Sequence, residues 1–344
     1  MSAHGRAAPA AHSRARRLLP LRWLPPLLLV GSCGTDPTPS ALNPAGYGAH
    51  VVSSLWWLLF GISVVICVIV IGATLWAVMF RRGAVAIRTG EARRIIVVLG
   101  VVIPALILVG VYGVGLRDMN ALVQPGTPAA VTVDVTGHIW WWEARYEGSA
   151  AVTANEIHVP VGQVVHFRLT TADVNHSFWV PQLMPKTDLV AGRVNDTWIR
   201  ATRQGTFRGQ CAEYCGLQHA HMDFTVVAQS AQDYSAWLAS QQAPAPTPQN
   251  ALAAHGLKVL ENGSCASCHT LRGTGAHGTA GPDLTHLATR SRIGAEAVPN
   301  TRGYLAGWII NSQAVKPGNK MPPQSLSSED LQAVLAYLLP QASQ

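Results

Sequence analysis

Charge is missing from two long stretches of this chain. No Asp, Glu, Lys or Arg stands between Leu55 and Phe80, and none between Ile95 and Leu116. Soluble helices of such length carry a polar face, so the absence excludes a pair of ordinary core helices. It leaves two runs able to cross a bilayer, which takes about 20 apolar residues in helix. A basic face is missing too, although the formal net charge is +7 and the pI about 9.3. The segment through Ser32 holds five Arg and no acid, and residues 81–94 hold five Arg against Glu91 alone. The remainder carries 15 basic and 17 acidic residues, so a nucleic-acid partner is excluded as a reading of the pI. Residues 117–237 net −3 and residues 251–344 net +2, an opposition that favours docking between the two parts, though small fields are largely screened by salt.

The loop charges fix a topology. Arg81, Arg82, Arg88, Arg93 and Arg94 lie between the apolar runs, and the positive-inside tendency puts them in the cytoplasm. Both flanks are then extracytoplasmic. Ahead of the first run, Arg14, Arg16 and Arg17 precede a short apolar stretch from Leu18, the layout of a secretory leader too short to span stably. Leu29-Val30-Gly31-Ser32-Cys33 resembles the cleavage box of a bacterial lipoprotein, with ordinary cleavage or an uncleaved anchor as the alternatives. Cys67, inside the first run, reads as an inert buried thiol.

Four cysteines remain, and they fall in two short motifs. Cys211 to Met222 reads C-A-E-Y-C-G-L-Q-H-A-H-M and places two thiols, an imidazole and a thioether in twelve residues. Thiolate and thioether sulfur favour copper, and imidazole accepts it in either oxidation state. Structural zinc takes Cys and His from two separated pairs and has no use for a thioether. A Cys211–Cys215 disulfide would leave His219 and Met222 unexplained. The second motif, Cys265-Ala266-Ser267-Cys268-His269, has the C-x-x-C-H pattern of covalent c-type haem attachment, which C-x-x-C alone shares with redox and zinc sites.

The first motif resembles the copper loop of cytochrome c oxidase subunit II, and the likeness extends to His176-Ser177-Phe178-Trp179, Lys186-Thr187-Asp188 and Gly192-Arg193. It implies a binuclear CuA centre. Cys211 and Cys215 would bridge both coppers, His176 and His219 would cap one each, and Met222 and the Glu213 carbonyl would complete the set. It also implies that the Glu213 carboxylate reaches a magnesium ion at the large subunit, the plain reading being a surface Glu. Trp140, first of the run Trp140-Trp141-Trp142 after Gly137-His138-Ile139, corresponds to the tryptophan through which electrons enter; the plain reading is a core strand. The second motif, with Gly281-Pro282-Asp283-Leu284 and Gly318-Asn319-Lys320-Met321-Pro322-Pro323, resembles a small cytochrome c. His269 and Met321 would be the axial pair of a covalent haem c, a combination that raises its potential. Met321 is the only methionine after Cys268; His255, His277 and His286 are the rival sixth ligands.

Short β-rich runs at Val131–Val135, Val164–Leu169 and Asp223–Val227, separated by turn residues, predict a sandwich, and the resemblance makes it a cupredoxin-like Greek-key barrel. Gln241 to Pro248 is Pro-rich and reads as an extended spacer. Ala251–Leu260 and Ser328–Leu339 read as the first and last helices of a cytochrome c. The expected fold is therefore a two-helix transmembrane hairpin, an all-β cupredoxin-like barrel, and an all-α cytochrome c domain. Its divisions are a leader 1–32, an extracytoplasmic segment 33–54, helices at 55–80 and 95–116 around a cytoplasmic loop 81–94, the CuA domain 117–240, the linker 241–250 and the cytochrome domain 251–344.

The resemblance implies a subunit of a bacterial inner-membrane oxidase, with copper and haem domains in the periplasm. Electrons would come from cytochrome c or another periplasmic donor and go on to subunit I, with subunit III and membrane lipid as further partners. Neither apolar run contains histidine, so oxygen reduction and proton translocation belong to the assembled complex. One departure is Val97, seven residues before Pro104, where many members carry a Glu at the mouth of a proton channel. A CuA-type subunit of a nitric oxide reductase and a free-standing membrane-anchored electron carrier are the alternative functions.

Overall fold

The computed structural model describes residues 39–80, 89–123 and 126–340. The leader, Cys33, and Arg81, Arg82 and Arg88 lie outside the described residues.

Helix α1 spans Tyr47–Phe80. The second long helix, Thr89–Val123, comprises α2 (Thr89–Val97), a wide turn over Val98–Val102, and α3 (Ile103–Val123). Proline explains the interruption. Pro104 lacks an N–H, and its ring would strike the carbonyl four residues earlier. The chain widens before it, with the Ile103 N–H reaching the Val98 carbonyl, the π-type adjustment such a site favours. Both helices are long and apolar enough to cross a membrane, and side chains such as Val68, Val78 and Leu106 are exposed along them. Part of the expected loop is helical, because α2 starts at Thr89 with Glu91 in its first turn, where a carboxylate suits the positive end of the helix dipole.

The start of α1 is fixed to the β domain. The Ala45 N–H donates to the Gln182 carbonyl, Tyr47 N–H to Arg200 and Ala49 N–H to Leu183, and only Gly48, Ala49 and Ser53 of the helix are buried. The helix thus leaves a firm platform before it becomes apolar.

That platform is a two-sheet sandwich. One sheet contains β1 (Val131–His138), β2 (Trp141–Tyr146), β3 (Val152–Ala154), β5 (Val165–Thr171) and β8 (Asn195–Ile199), in the order β3-β2-β1-β5-β8. The other contains β4 (Glu156–Pro160), β6 (His176–Trp179), β7 (Thr187–Leu189), β9 (Gly205–Cys211) and β10 (Asp223–Gln229), in the order β4-β10-β9-β6-β7. Burial alternates along β1, with Val133, Val135 and Gly137 inward, as a strand covered on one face requires. Between the sheets the Phe178 and Phe224 rings stack at 4.3 Å, and Trp142 meets both. The parallel pairings β1·β5 and β4·β10 join strands distant in sequence into a Greek-key, cupredoxin-like arrangement.

Helix α4 (Ala231–Gln242) follows, capped by the Ser230 side chain, which accepts from the Asp233 N–H. The expected linker therefore begins inside a helix. Ala243 turns extended because the residue before Pro244 avoids the helical region. Beyond Asn250, whose side chain caps it, α5 (Ala251–Asn262) crosses α7 (Ser328–Leu338). The crossing is close at Gly256, where a Cβ would lie 2.0 Å from the Ala333 carbonyl oxygen. Helix α6 (Arg302–Asn311) and a two-residue ladder, Arg292–Ile293 with Val298–Pro299, complete this module.

Candidate metal centres

The copper loop joins β9 to β10, and His176 opens β6, the strand beside β9. Pairing of Phe178 with Cys211 brings His176 alongside the loop. The donor atoms of His176, Cys211 and Cys215 all lie within 4.8 Å of one another, and all three residues are buried. The Cys211 Sγ is 3.8 Å from Cys215 Sγ, 3.9 Å from His176 Nδ1 and 3.2 Å from the Glu213 carbonyl oxygen. The Cys215 Sγ is 3.6 Å from His219 Nδ1 and 3.8 Å from Met222 Sδ. Two sulfurs 3.8 Å apart are not bonded, since a disulfide measures about 2.05 Å. Six donors converge on one pocket, and their soft character fits copper. Hydrogen bonding between the sulfurs, with help from His176, holds the Cys211 thiol well below its ordinary range and pushes Cys215 up. Copper binding would require both thiols to lose their protons.

The surroundings hold these donors in place. Asp173 Oδ1 lies 3.0 Å from His176 Nε2, and Asp173 Oδ2 accepts from the Ile139 N–H at 2.8 Å, an arrangement that orients a ligating ring. Burial works to raise the Asp173 carboxyl, but these bonds hold it below its ordinary value. The Trp140 indole donates to the Cys215 carbonyl at 2.8 Å, and the Trp142 indole to the Met222 carbonyl at 3.3 Å. Trp140 is 9% exposed. Nothing in its local sequence announces Asp173 beyond its i, i+3 spacing from His176. The Glu213 carboxylate stands 3.9 Å from the Lys186 ammonium, a cation that a magnesium ion there would have to displace.

In the C-terminal module an apolar cavity of about 290 Å³ is lined by Cys265, Cys268, His269, Pro282, Leu305 and Met321, and also by Ile139, Trp140 and Trp141 of the sandwich. His269 Nδ1 bonds the Pro282 carbonyl at 2.7 Å. Burial, opposed by that bond, lowers its pKa, so a neutral ring keeps its Nε2 lone pair for a metal. Gly281 makes room: a Cβ there would sit 2.6 Å from His269 Cε1. These features fit a c-type haem. Of the rival ligands, His255 is tied to Asp330 at 2.8 Å and His286 to the Ala243 carbonyl at 3.0 Å, and the Thr270–His277 pair forms an isolated bridge.

Lys316, which no local sequence pattern marks, is 2% exposed. Its ammonium donates to the carbonyls of Trp140 at 2.8 Å, His221 at 2.7 Å and Gly294 at 3.1 Å. Burial works to lower its pKa, opposed by the nearby Asp223 and Cys215.

Sulfur and imidazole donors at one end of a cupredoxin-like sandwich, beside a helical module whose cavity is lined by Cys265, Cys268 and His269, define a class of protein with sites that fit copper and haem. Residues 150–230 match the family described as cytochrome C oxidase subunit II, periplasmic domain, and residues 253–341 match cytochrome c. The cytochrome c oxidase subunit 2 of Bacillus subtilis is 32% identical over 351 residues, covering 94% of this chain and 96% of its own. That of Alkalihalophilus pseudofirmus is 38% identical over 243 residues, covering 70% and 69%. The solved periplasmic domain of subunit II of the Bradyrhizobium japonicum cytochrome oxidase is 30% identical, covering 33% of this chain and 95% of that one, with a TM-score of 0.33. The chain belongs to the cytochrome c oxidase subunit II family, in a form with a cytochrome c domain fused at its C-terminal side.

Proposed function

We propose that this chain receives electrons for a bacterial haem-copper oxidase, with CuA held by His176, Cys211, Glu213, Cys215, His219 and Met222 and haem c held by Cys265, Cys268, His269 and Met321. When bound, these groups would supply one-electron redox chemistry, and the chain's role would be to take electrons from a periplasmic donor such as cytochrome c and deliver them to subunit I, where O2 would be reduced and protons translocated. The observation that carries the reading is the Trp140 indole, which lines the apolar cavity around Cys265, Cys268 and His269 and bonds the carbonyl of Cys215. One side chain thus touches both sites.

The chain's residues do the positioning. Asp173 orients the His176 ring, Pro282 fixes the tautomer of His269, and Cys211, Cys215 and Met222 lie buried in the same core cluster as Phe178, Phe224 and Trp142. Low solvent access and fixed ligands favour transfer with little rearrangement. The hairpin would sit in the inner membrane with loop 81–94 in the cytoplasm, packed on subunit I, with the two redox modules in the periplasm.

A reduced-minus-oxidised optical spectrum of the complex, purified in mild detergent through a tag on this chain, tests the reading. An a-type or other terminal haem signal alongside the c-type one, with oxygen consumption, is the expected result. Only c-type haem in an intact preparation would move the chain to a free-standing carrier, and nitric oxide consumption to a reductase subunit.

A further inference from the structure

Lys316 stands five residues before Met321 in the haem module, yet two of its three acceptors belong to the sandwich. An ammonium has three N–H donors, and each has a carbonyl here: Trp140, His221 and Gly294. Among the described residues no carboxylate lies within ion-pairing distance of it. A buried cation costs stability that an apolar side chain of similar volume would not, so packing alone does not account for a lysine. What the ammonium does and a methionine cannot is hold three separate backbone segments at once.

We propose that Lys316 is a positioning residue for electron transfer within this chain: it pins the Met321 loop of the haem module against Trp140 and the copper loop, holding the two redox sites at one separation. The inference rests on the redox reading of both sites given above. The step it positions moves one electron and makes or breaks no bond at Lys316.

Neighbouring contacts converge on the same seam. Gln218, inside the copper loop, donates to the Pro317 carbonyl at 2.8 Å, next to Lys316. Lys320, next to Met321, lies 3.4 Å from Asp173, the partner of His176. The third acceptor, Gly294, begins a stretch in which Ala295 and Glu296 run left-handed with φ of 59° and 64°. Non-glycine residues hold that conformation only where their surroundings over-determine it, and Lys316 supplies one such constraint. With the loop seated, Trp140 is covered and the haem cavity takes part of its wall from the sandwich. A separate cytochrome would therefore meet the haem module, not Trp140.

The test uses the purified complex with one spin label on the exposed Val194 of the sandwich and one on the exposed Tyr304 of the haem module. The wild type is expected to give one narrow distance distribution. In Lys316→Met that distribution should broaden, and flash-initiated transfer from haem to copper should slow by roughly tenfold or more. The copper resonance, the haem spectrum and both potentials should stay unchanged. Lys316→Gln, which keeps two donors, should fall between. A broad distribution in the wild type overturns the proposal without recourse to any variant. So does an unchanged rate in Lys316→Met, or a slower one matched by a shifted potential. Absence of the copper or haem signal in the wild type would instead overturn the redox reading on which it rests.

Discussion

The Trp140 indole nitrogen donates to the Cys215 carbonyl oxygen at 2.8 Å, while the same ring lines the cavity that holds Cys265, Cys268 and His269. The ring is thus a wall of one site and a hydrogen-bonded neighbour of the other. Trp140→Ala removes both contacts, and haem-to-copper transfer should fall by roughly tenfold or more with both metals still bound. Trp140→Phe keeps an aromatic wall but loses the donor, and should fall less. Flash photoreduction with absorbance followed at both centres measures the rates; equal rates in wild type and Trp140→Ala would remove the residue from the route.

Asp173 serves the copper pocket from outside its donor set. It accepts from the Ile139 N–H and lies 3.0 Å from His176 Nε2, so removing it frees the ring to turn. Asp173→Ala should weaken copper binding by about 10- to 100-fold, the usual cost of losing such a partner. Asp173→Asn retains an acceptor and should lose less. Competition with a copper chelator measures the affinity, and an unaltered Asp173→Ala would show that the strands alone fix His176.

Gly281 sits where the chain passes closest to His269. A Cβ there would lie 2.6 Å from Cε1 and 2.9 Å from Nδ1 of the ring, so Gly281→Ala must move His269 or break its 2.7 Å bond to Pro282. Overpacking of this kind costs about 1–3 kcal/mol. The expected outcome is a weakened axial bond, seen as a changed haem spectrum in the purified complex, with the copper resonance unchanged. A wild-type haem spectrum would mean that the Gly281 loop, not the ring, gives way.

What the sequence reveals depends on how local each feature is. The spacing of Cys211, Cys215, His219 and Met222 is legible because one loop brings all four donors together. His176 is 35 residues from Cys211 and is legible in the sequence only through the resemblance, since the pairing of β6 with β9 is a long-range fact. Helix α4 carries its own signal in Ser230-Ala231-Gln232-Asp233, a capping pattern that stands just ahead of the Pro-rich run. Lys316 carries none. Its burial comes from two modules meeting, where the Trp140 and His221 carbonyls close around the ammonium.

The seam also contains a displaced carboxyl. Burial, with Glu156 and Asp223 nearby, pushes Glu296 up to about 7, against the pull of Arg292 and the Thr225 hydrogen bond. In the unfolded chain it titrates near its ordinary value of 4.5. Between those values the folded state keeps a proton that the unfolded state releases, so the unfolding free energy falls as pH rises. The contribution is full below the unfolded value and lost once pH passes the folded one. Glu296→Gln mimics the protonated form at every pH, so its advantage should be small at pH about 4 and grow to as much as about 3 kcal/mol by pH about 8. Thermal unfolding of the purified complex, monitored through the haem absorbance at a series of pH values, gives the comparison. A melting difference between Glu296→Gln and wild type that does not widen from acid to neutral pH would mean that the carboxyl titrates as if it were in water.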